Sequence, residues 1–198
     1  MKEPAAQSLQ AIERITNMKN TKTMSITMTA LMTAILCILA PFSIPLSTVP
    51  ISLGTFAVYL CAAILGPKRG IISVLIYLML GLVGIPVFAE GMAGFGVLAG
   101  PTGGYLIGYL VIAFFTGFFT KKWGKNPVIV FLGMALGTIG CYLIGTIWLG
   151  IQLKFGVWQA LMAGVIPFIP GDIIKMVACT AISLPVRKQL KVYLEVGK

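Results

Sequence analysis

Histidine is absent from all 198 residues, and acids are scarce: five Asp and Glu stand against fifteen Lys and Arg. Without histidine there is no Ser-His-Asp triad and no HExxH zinc site. No GxxxxGK[ST] phosphate loop occurs, so the chain is not itself an ATPase of that kind. The four cysteines, Cys37, Cys61, Cys141 and Cys179, stand alone in apolar segments with no CxxC spacing. They offer no disulfide framework and no metal site, and read as small packing residues. Charge of either sign makes up only 10% of the chain against 58% hydrophobic residues, with a mean hydropathy of +0.99. That balance excludes an ordinary soluble surface and predicts an integral membrane protein.

The net charge of +10 would suit nucleic acid. The basic residues, however, fall in short clusters between apolar runs and are not interleaved with solvent-facing aromatics, so no nucleic-acid partner is expected. Positive-inside topology in a lipid bilayer explains them better. The first twenty residues are polar, without an apolar core or small-residue cleavage pattern, so no cleavable signal peptide is expected. Residues 1–22 read as a cytosolic extension, 23–192 as the transmembrane domain and 193–198 as a cytosolic tail.

From Thr23 to Leu65 there is no charge, and Pro41, Pro45 and Pro50 divide the run into a helix near 23–40, a loop, and a helix near 52–65. A basic turn, Gly66-Pro67-Lys68-Arg69-Gly70, leads into a third helix ending near Gly84 or Ile85. A glycine-rich loop from Pro86 to Gly100 precedes a fourth helix that closes at Lys121-Lys122-Trp123-Gly124-Lys125. Asn126-Pro127 opens a fifth, running to about Gly150 or Gln152. After a short apolar segment near 157–165 a sixth starts at Pro170 and runs to about Arg187-Lys188. The fold class expected is an all-α membrane protein, a bundle of six spans with both termini cytosolic. The basic clusters flank one side, while the alternate loops carry almost only Glu90 and Lys154.

Asp172 and Lys175 break the pattern by placing an acid and a base inside the sixth apolar segment. At about 1.5 Å rise per residue they lie roughly 22 and 18 Å from Arg187, in the outer half of a bilayer core about 30 Å thick. Spaced i and i+3, they share one helix face. Each isolated charge at mid-membrane costs at least about 2.5–3.5 kcal/mol, so the pair requires a partner, a polar cavity or a ligand. A mutual ion pair that fastens this helix is one reading; a polar ligand site is the other, and is favoured. Such a pocket combines Asp172 as acceptor and Lys175 as donor with Tyr59, Tyr105 and Phe95 as walls, under a glycine loop that brings Glu90, the only other acid on that side. A two-carboxylate catalytic site is disfavoured, since Asp172 is the only acid within a helix. No catalytic residues, no metal and no cofactor are expected.

Small residues recur at four-residue spacing: Ala30 and Ala34 on the first helix, Gly104 and Gly108 on the fourth, Gly133 and Gly137 on the fifth. They let backbones approach closely, either inside the bundle or against a partner.

Several stretches together resemble the BioY family, the biotin-binding S components of energy-coupling-factor transporters. They are Ala99-Gly100-Pro101-Thr102-Gly103-Gly104-Tyr105-Leu106-Ile107-Gly108, Val49-Pro50-Ile51-Ser52-Leu53, Leu65-Gly66-Pro67-Lys68-Arg69-Gly70, Gly84-Ile85-Pro86-Val87-Phe88 and Pro170-Gly171-Asp172-xx-Lys175. The resemblance covers about residues 23–192. It departs from the family in the glycine loop, which reads Glu90-Gly91-Met92-Ala93-Gly94 where a GGxGG-like run is common. The resemblance implies biotin as ligand, with Asp172 and Lys175 at its site. It implies docking to a transmembrane coupling subunit through Ala30 and Ala34, two ATP-binding cassette ATPases as further partners, and residence in the cell membrane. The alternatives are an S component for thiamine or riboflavin, an intramembrane enzyme and a purely structural subunit.

Overall fold

The computed structural model describes residues 23–45, 49–124 and 126–196, with side chains to residue 190. The extension expected over 1–22 lies outside the described residues. Among the described residues there are six long helices: α1 (Thr23–Leu39), α2 (Gly54–Leu65), α3 (Pro67–Leu82), α5 (Gly103–Trp123), α6 (Pro127–Leu153) and α8 (Ile169–Val196). Two short ones, α4 (Phe95–Ala99) and α7 (Val157–Gly164), join them. By length and composition, α5, α6 and the Ile169–Leu190 part of α8 can each cross a membrane, whereas α1 and α2 are apolar but shorter.

The boundaries follow local chemistry. At α6, the Asn126 side chain accepts from the Val128 N–H at 3.0 Å, and Pro127 takes a first-turn position where its missing N–H costs nothing. At α3, Gly66 with φ +81° and ψ 179° takes a backbone conformation that suits glycine and lets Pro67 begin a new helix at once. The last helix overruns its expected end near Arg187-Lys188 and is still helical at Val196, because Arg187-Lys188-Gln189-Leu190 are good helix formers with no glycine among them. Pro185 is accommodated within it.

The proline-rich loop holds a feature not expected from the sequence. Ser43–Ile44 (β1) and Ile51–Ser52 (β2) pair antiparallel, Ser43 opposite Ser52 and Ile44 opposite Ile51. The Leu53 N–H also donates to the Phe42 carbonyl at 2.9 Å, so this hairpin ties the end of α1 to the start of α2. The glycine-rich loop expected over Pro86 to Gly100 is likewise built: it holds a 3-10 turn at Ala89–Gly91 and the short helix α4. Trp148 Nε1 donates to the Gly100 carbonyl at 2.9 Å and Gln152 Nε2 to the Ala99 carbonyl at 2.7 Å, fastening the loop to the end of α6.

Helices α5 and α6 form the centre of the bundle through their small residues. A Cβ on Gly108 would meet Cys141 at 2.6 Å, and one on Gly137 would meet the backbone of Ile112 at 2.8 Å. The spacing expected to bring backbones together therefore does so here between neighbours in the same chain. Cys61, Cys141 and Cys179 are buried free thiols. Around this centre Leu36, Val58, Tyr77, Phe88, Ile112 and Met134 complete a core closed to solvent.

Candidate functional site

Asp172 lies in the first turn of α8, where a carboxylate is favoured by the helix dipole. It is nonetheless 3% exposed, so its charge needs direct partners. Lys175, one turn on, donates from Nζ to Asp172 Oδ1 at 3.0 Å, to Thr55 Oγ1 at 3.0 Å and to the Ser52 carbonyl at 2.8 Å. All three ammonium protons are thereby engaged. Thr55 Oγ1 donates in turn to Asp172 Oδ1 at 3.3 Å, and the Tyr142 hydroxyl on α6 donates to Oδ2 at 2.7 Å. A carboxylate offers about four lone-pair sites. Two bonds fall on Oδ1 and one on Oδ2, which leaves one acceptor position open on Oδ2.

This network floors a cavity of about 50 Å³. Val49, Pro50 and Ser52 of the hairpin enclose one side, Tyr105 and Tyr109 of α5 another, and Phe168 a third. Tyr105 is locked in place, its hydroxyl donating to the Gly164 carbonyl at 3.0 Å. Its ring fits only because residues 145 and 164 are glycines: a Cβ at Gly145 would fall 2.3 Å from the ring, and one at Gly164 1.9 Å from the hydroxyl. The walls are thus apolar and aromatic, with polar groups gathered at one end. This is the composition of a site for a small, partly apolar ligand carrying hydrogen-bonding groups.

Of the residues singled out in the sequence, Asp172, Lys175 and Tyr105 converge on this cavity. Tyr59 does not line it: fully buried, it sits one layer behind, hydrogen-bonded to Thr138 at 2.5 Å. Phe95, 73% exposed on α4, and Glu90 also stand outside the lining. Glu90 is held by its backbone at φ 61°, its N–H donating to the Pro41 carbonyl and to Ser43 Oγ, so the turn fixes the main chain and leaves the side chain exposed. Sequence reasoning did not single out Thr55 and Tyr142. Hydroxyl side chains are common in apolar helices, and only the fold shows that these two reach one carboxylate. Ser52 and Pro50 lay within the Val49–Leu53 motif, which was the available signal.

Removing the Tyr142 hydroxyl isolates its contribution. Tyr142→Phe deletes one charge-assisted hydrogen bond from a buried carboxylate, an expected loss of about 1.5–3 kcal/mol. Thermal unfolding in detergent should show a lowered midpoint; an unchanged one would mean that the bond contributes nothing to the folded state.

Comparison with known proteins adds to this geometry. The model of the BioY family matches residues 13–192. The biotin transporter BioY2 of Lactococcus lactis subsp. cremoris is 36% identical over 173 residues, covering 87% of this chain and 95% of that protein. The biotin transporter BioY of Thermotoga maritima is 38% identical over 157 residues, covering 79% and 91%. Among solved structures, the crystal structure of the S-component for biotin from an ECF-type ABC transporter superposes with a TM-score of 0.76 at 37% identity, covering 85% of this chain and 93% of that one. A family match over nearly the whole helical region, with relatives aligned almost end to end, shows that the chain belongs to the BioY family.

Proposed function

We propose that this protein is the biotin-binding S component of an energy-coupling-factor transporter. It captures biotin on the outer face of the cell membrane and delivers it through a transmembrane coupling subunit driven by two ATP-binding cassette ATPases. It is not an enzyme. The observation that carries this reading is the Asp172-Lys175 network at the floor of an aromatic cavity, in a fold superposing on a biotin S-component.

Biotin presents two ureido N–H donors and a carbonyl on a small apolar bicycle, and a carboxylate on an apolar tail. A ureido N–H finds its acceptor at the open position on Asp172 Oδ2. Lys175 serves the ureido oxygen or the carboxylate, and must give up Ser52, Thr55 or Asp172 to do so. Ligand pockets of this class run to about 300–1,000 Å³, so the 50 Å³ cavity has to widen as biotin enters. Binding is then an exchange of internal hydrogen bonds for ligand bonds.

The same geometry supports a placement in the membrane. Thr55, Tyr105 and Asp172 lie near the starts of α2, α5 and α8, while Lys68, Arg69, Lys121, Lys122 and Arg187 lie at the opposite ends. Positive charge on the cytosolic side supports an outward-facing cavity. In this reading all six long helices span the membrane and both termini are cytosolic. Helix α2, about 18 Å long, is too short to cross alone; the hairpin continues its path, and non-helical backbone is tolerated at that depth because protein covers it.

The direct test is labelled-biotin binding to the purified protein in detergent, alone and with excess thiamine or riboflavin. Saturable binding that neither vitamin displaces is the expected result. Displacement by one of them would transfer the assignment to that vitamin, and no binding by a folded protein would remove it.

A further inference from the structure

A second cavity lies behind the first, and its chemistry is different. A groove of about 650 Å³ runs between α6, α7 and α8, walled by Ile139, Leu143 and Ile147, by Leu161, and by Ile173 and Met176. Thr138, Tyr142 and Asp172 border both this groove and the ligand cavity, so one layer of side chains divides the two. The groove residues on α6 extend from Ala135 to Ile147, roughly 18 Å of helix, close to the half-thickness of about 15 Å of one bilayer leaflet.

Its outer end carries two groups suited to a headgroup. Lys154, exposed, sits roughly 10 Å beyond Ile147 by helical rise, and forms no ion pair among the described residues. Trp158, 66% exposed, follows on α7 next to Val157, which lines the groove. A tryptophan and a lysine at the end of an apolar channel match the water interface of a bilayer, where a cation meets phosphate. We infer that the α6–α7–α8 groove is a binding site for one anionic phospholipid of the outer leaflet, its acyl chain along Ile147, Leu143 and Ile139 and its phosphate against Lys154. Ile139, Leu143 and Ile147 are exposed and no element of the described protein covers them, so in the membrane an acyl chain lies against them.

Native mass spectrometry of the full-length, delipidated protein tests this, with phosphatidylglycerol, phosphatidylcholine of the same acyl chains, and palmitate as probes. The wild type should take up one phosphatidylglycerol in preference to a second, and about tenfold more tightly than phosphatidylcholine. Ile139→Trp and Ile147→Trp, which fill the groove at two depths, should each weaken that first site about tenfold. Leu132→Trp, on α6 outside the groove and already half exposed, should leave it unchanged. Lys154→Ala should remove the preference for phosphatidylglycerol over phosphatidylcholine. Equal uptake by the wild type and both groove variants, each verified as folded by its unfolding transition, would overturn the site. Palmitate binding as tightly as phosphatidylglycerol would overturn the role of the headgroup. None of these readouts involves biotin, so their failure leaves the transport assignment untouched.

Discussion

Asp172→Asn should weaken biotin binding by roughly tenfold to 150-fold, the loss of one charge-assisted bond of about 1.5–3 kcal/mol. It should also destabilise the ligand-free protein, because Lys175 would keep a full charge at 12% side-chain exposure with only neutral partners. Breaking a buried pair on one side costs about 3–5 kcal/mol, whereas replacing both members with uncharged residues often costs far less. Lys175→Met alone should therefore be destabilised too, and Asp172→Asn with Lys175→Met should be more stable than either single variant. Binding should stay weakened in all three. That divergence separates a ligand site from an ion pair that only fastens α8 to α2, since a fastening pair predicts that binding returns with stability. Equilibrium binding and thermal unfolding on the same four proteins decide the matter; a stable double variant that holds biotin as tightly as the wild type would remove Asp172 and Lys175 from the site.

The second large effect is expected far from the cavity. On α1, Thr29, Met32, Thr33 and Leu36 face inward, and the Thr29 carbonyl accepts from Ser73 Oγ at 3.3 Å, which fixes that face on α3. Ala30 and Ala34 lie on the opposite, exposed face beside Ile26 and Ile38, forming a shallow strip between larger side chains. If the coupling subunit packs a helix into that strip, Ala30→Trp overfills it at about 1–3 kcal/mol, a loss of roughly fivefold to 150-fold in complex affinity. Uptake in cells supplying the other subunits should fall accordingly, while biotin binding by the isolated protein stays unchanged. Normal uptake would reassign the strip to lipid.

How much of this was legible in the sequence depended on cost. A charge within an apolar run is expensive enough that Asp172 and Lys175 identify themselves, and prolines and glycines marked the helix ends to within a few residues except at the end of α8, which runs on past Arg187-Lys188. The partners that make the pair tolerable were not legible, because Thr55 and Tyr142 are separated from Asp172 by 117 and 30 positions and resemble any other hydroxyl on an apolar helix. The hairpin was hidden for another reason: two strands of two residues between prolines carry no periodicity. Phe95 and Glu90 were drawn toward the pocket by their place in the glycine loop, yet the turn at Ala89–Gly91 leaves the Glu90 side chain exposed, and Phe95 at the start of α4 is exposed as well.

The hairpin has a thermodynamic reach beyond its four residues. Lys175 holds its last carbonyl, that of Ser52, while its first strand follows directly from α1 and is tied back through Phe42 and Leu53. If biotin draws Lys175 away from Ser52, the end of α1 loses one of its ties to α8, and the strip carrying Ala30 and Ala34 is held differently in the filled and empty protein. Linkage then works in both directions: whatever factor biotin applies to the affinity for the coupling subunit, that subunit must apply to the affinity for biotin. A coupling subunit that grips the empty form more tightly would by that grip alone drive the vitamin out of its site.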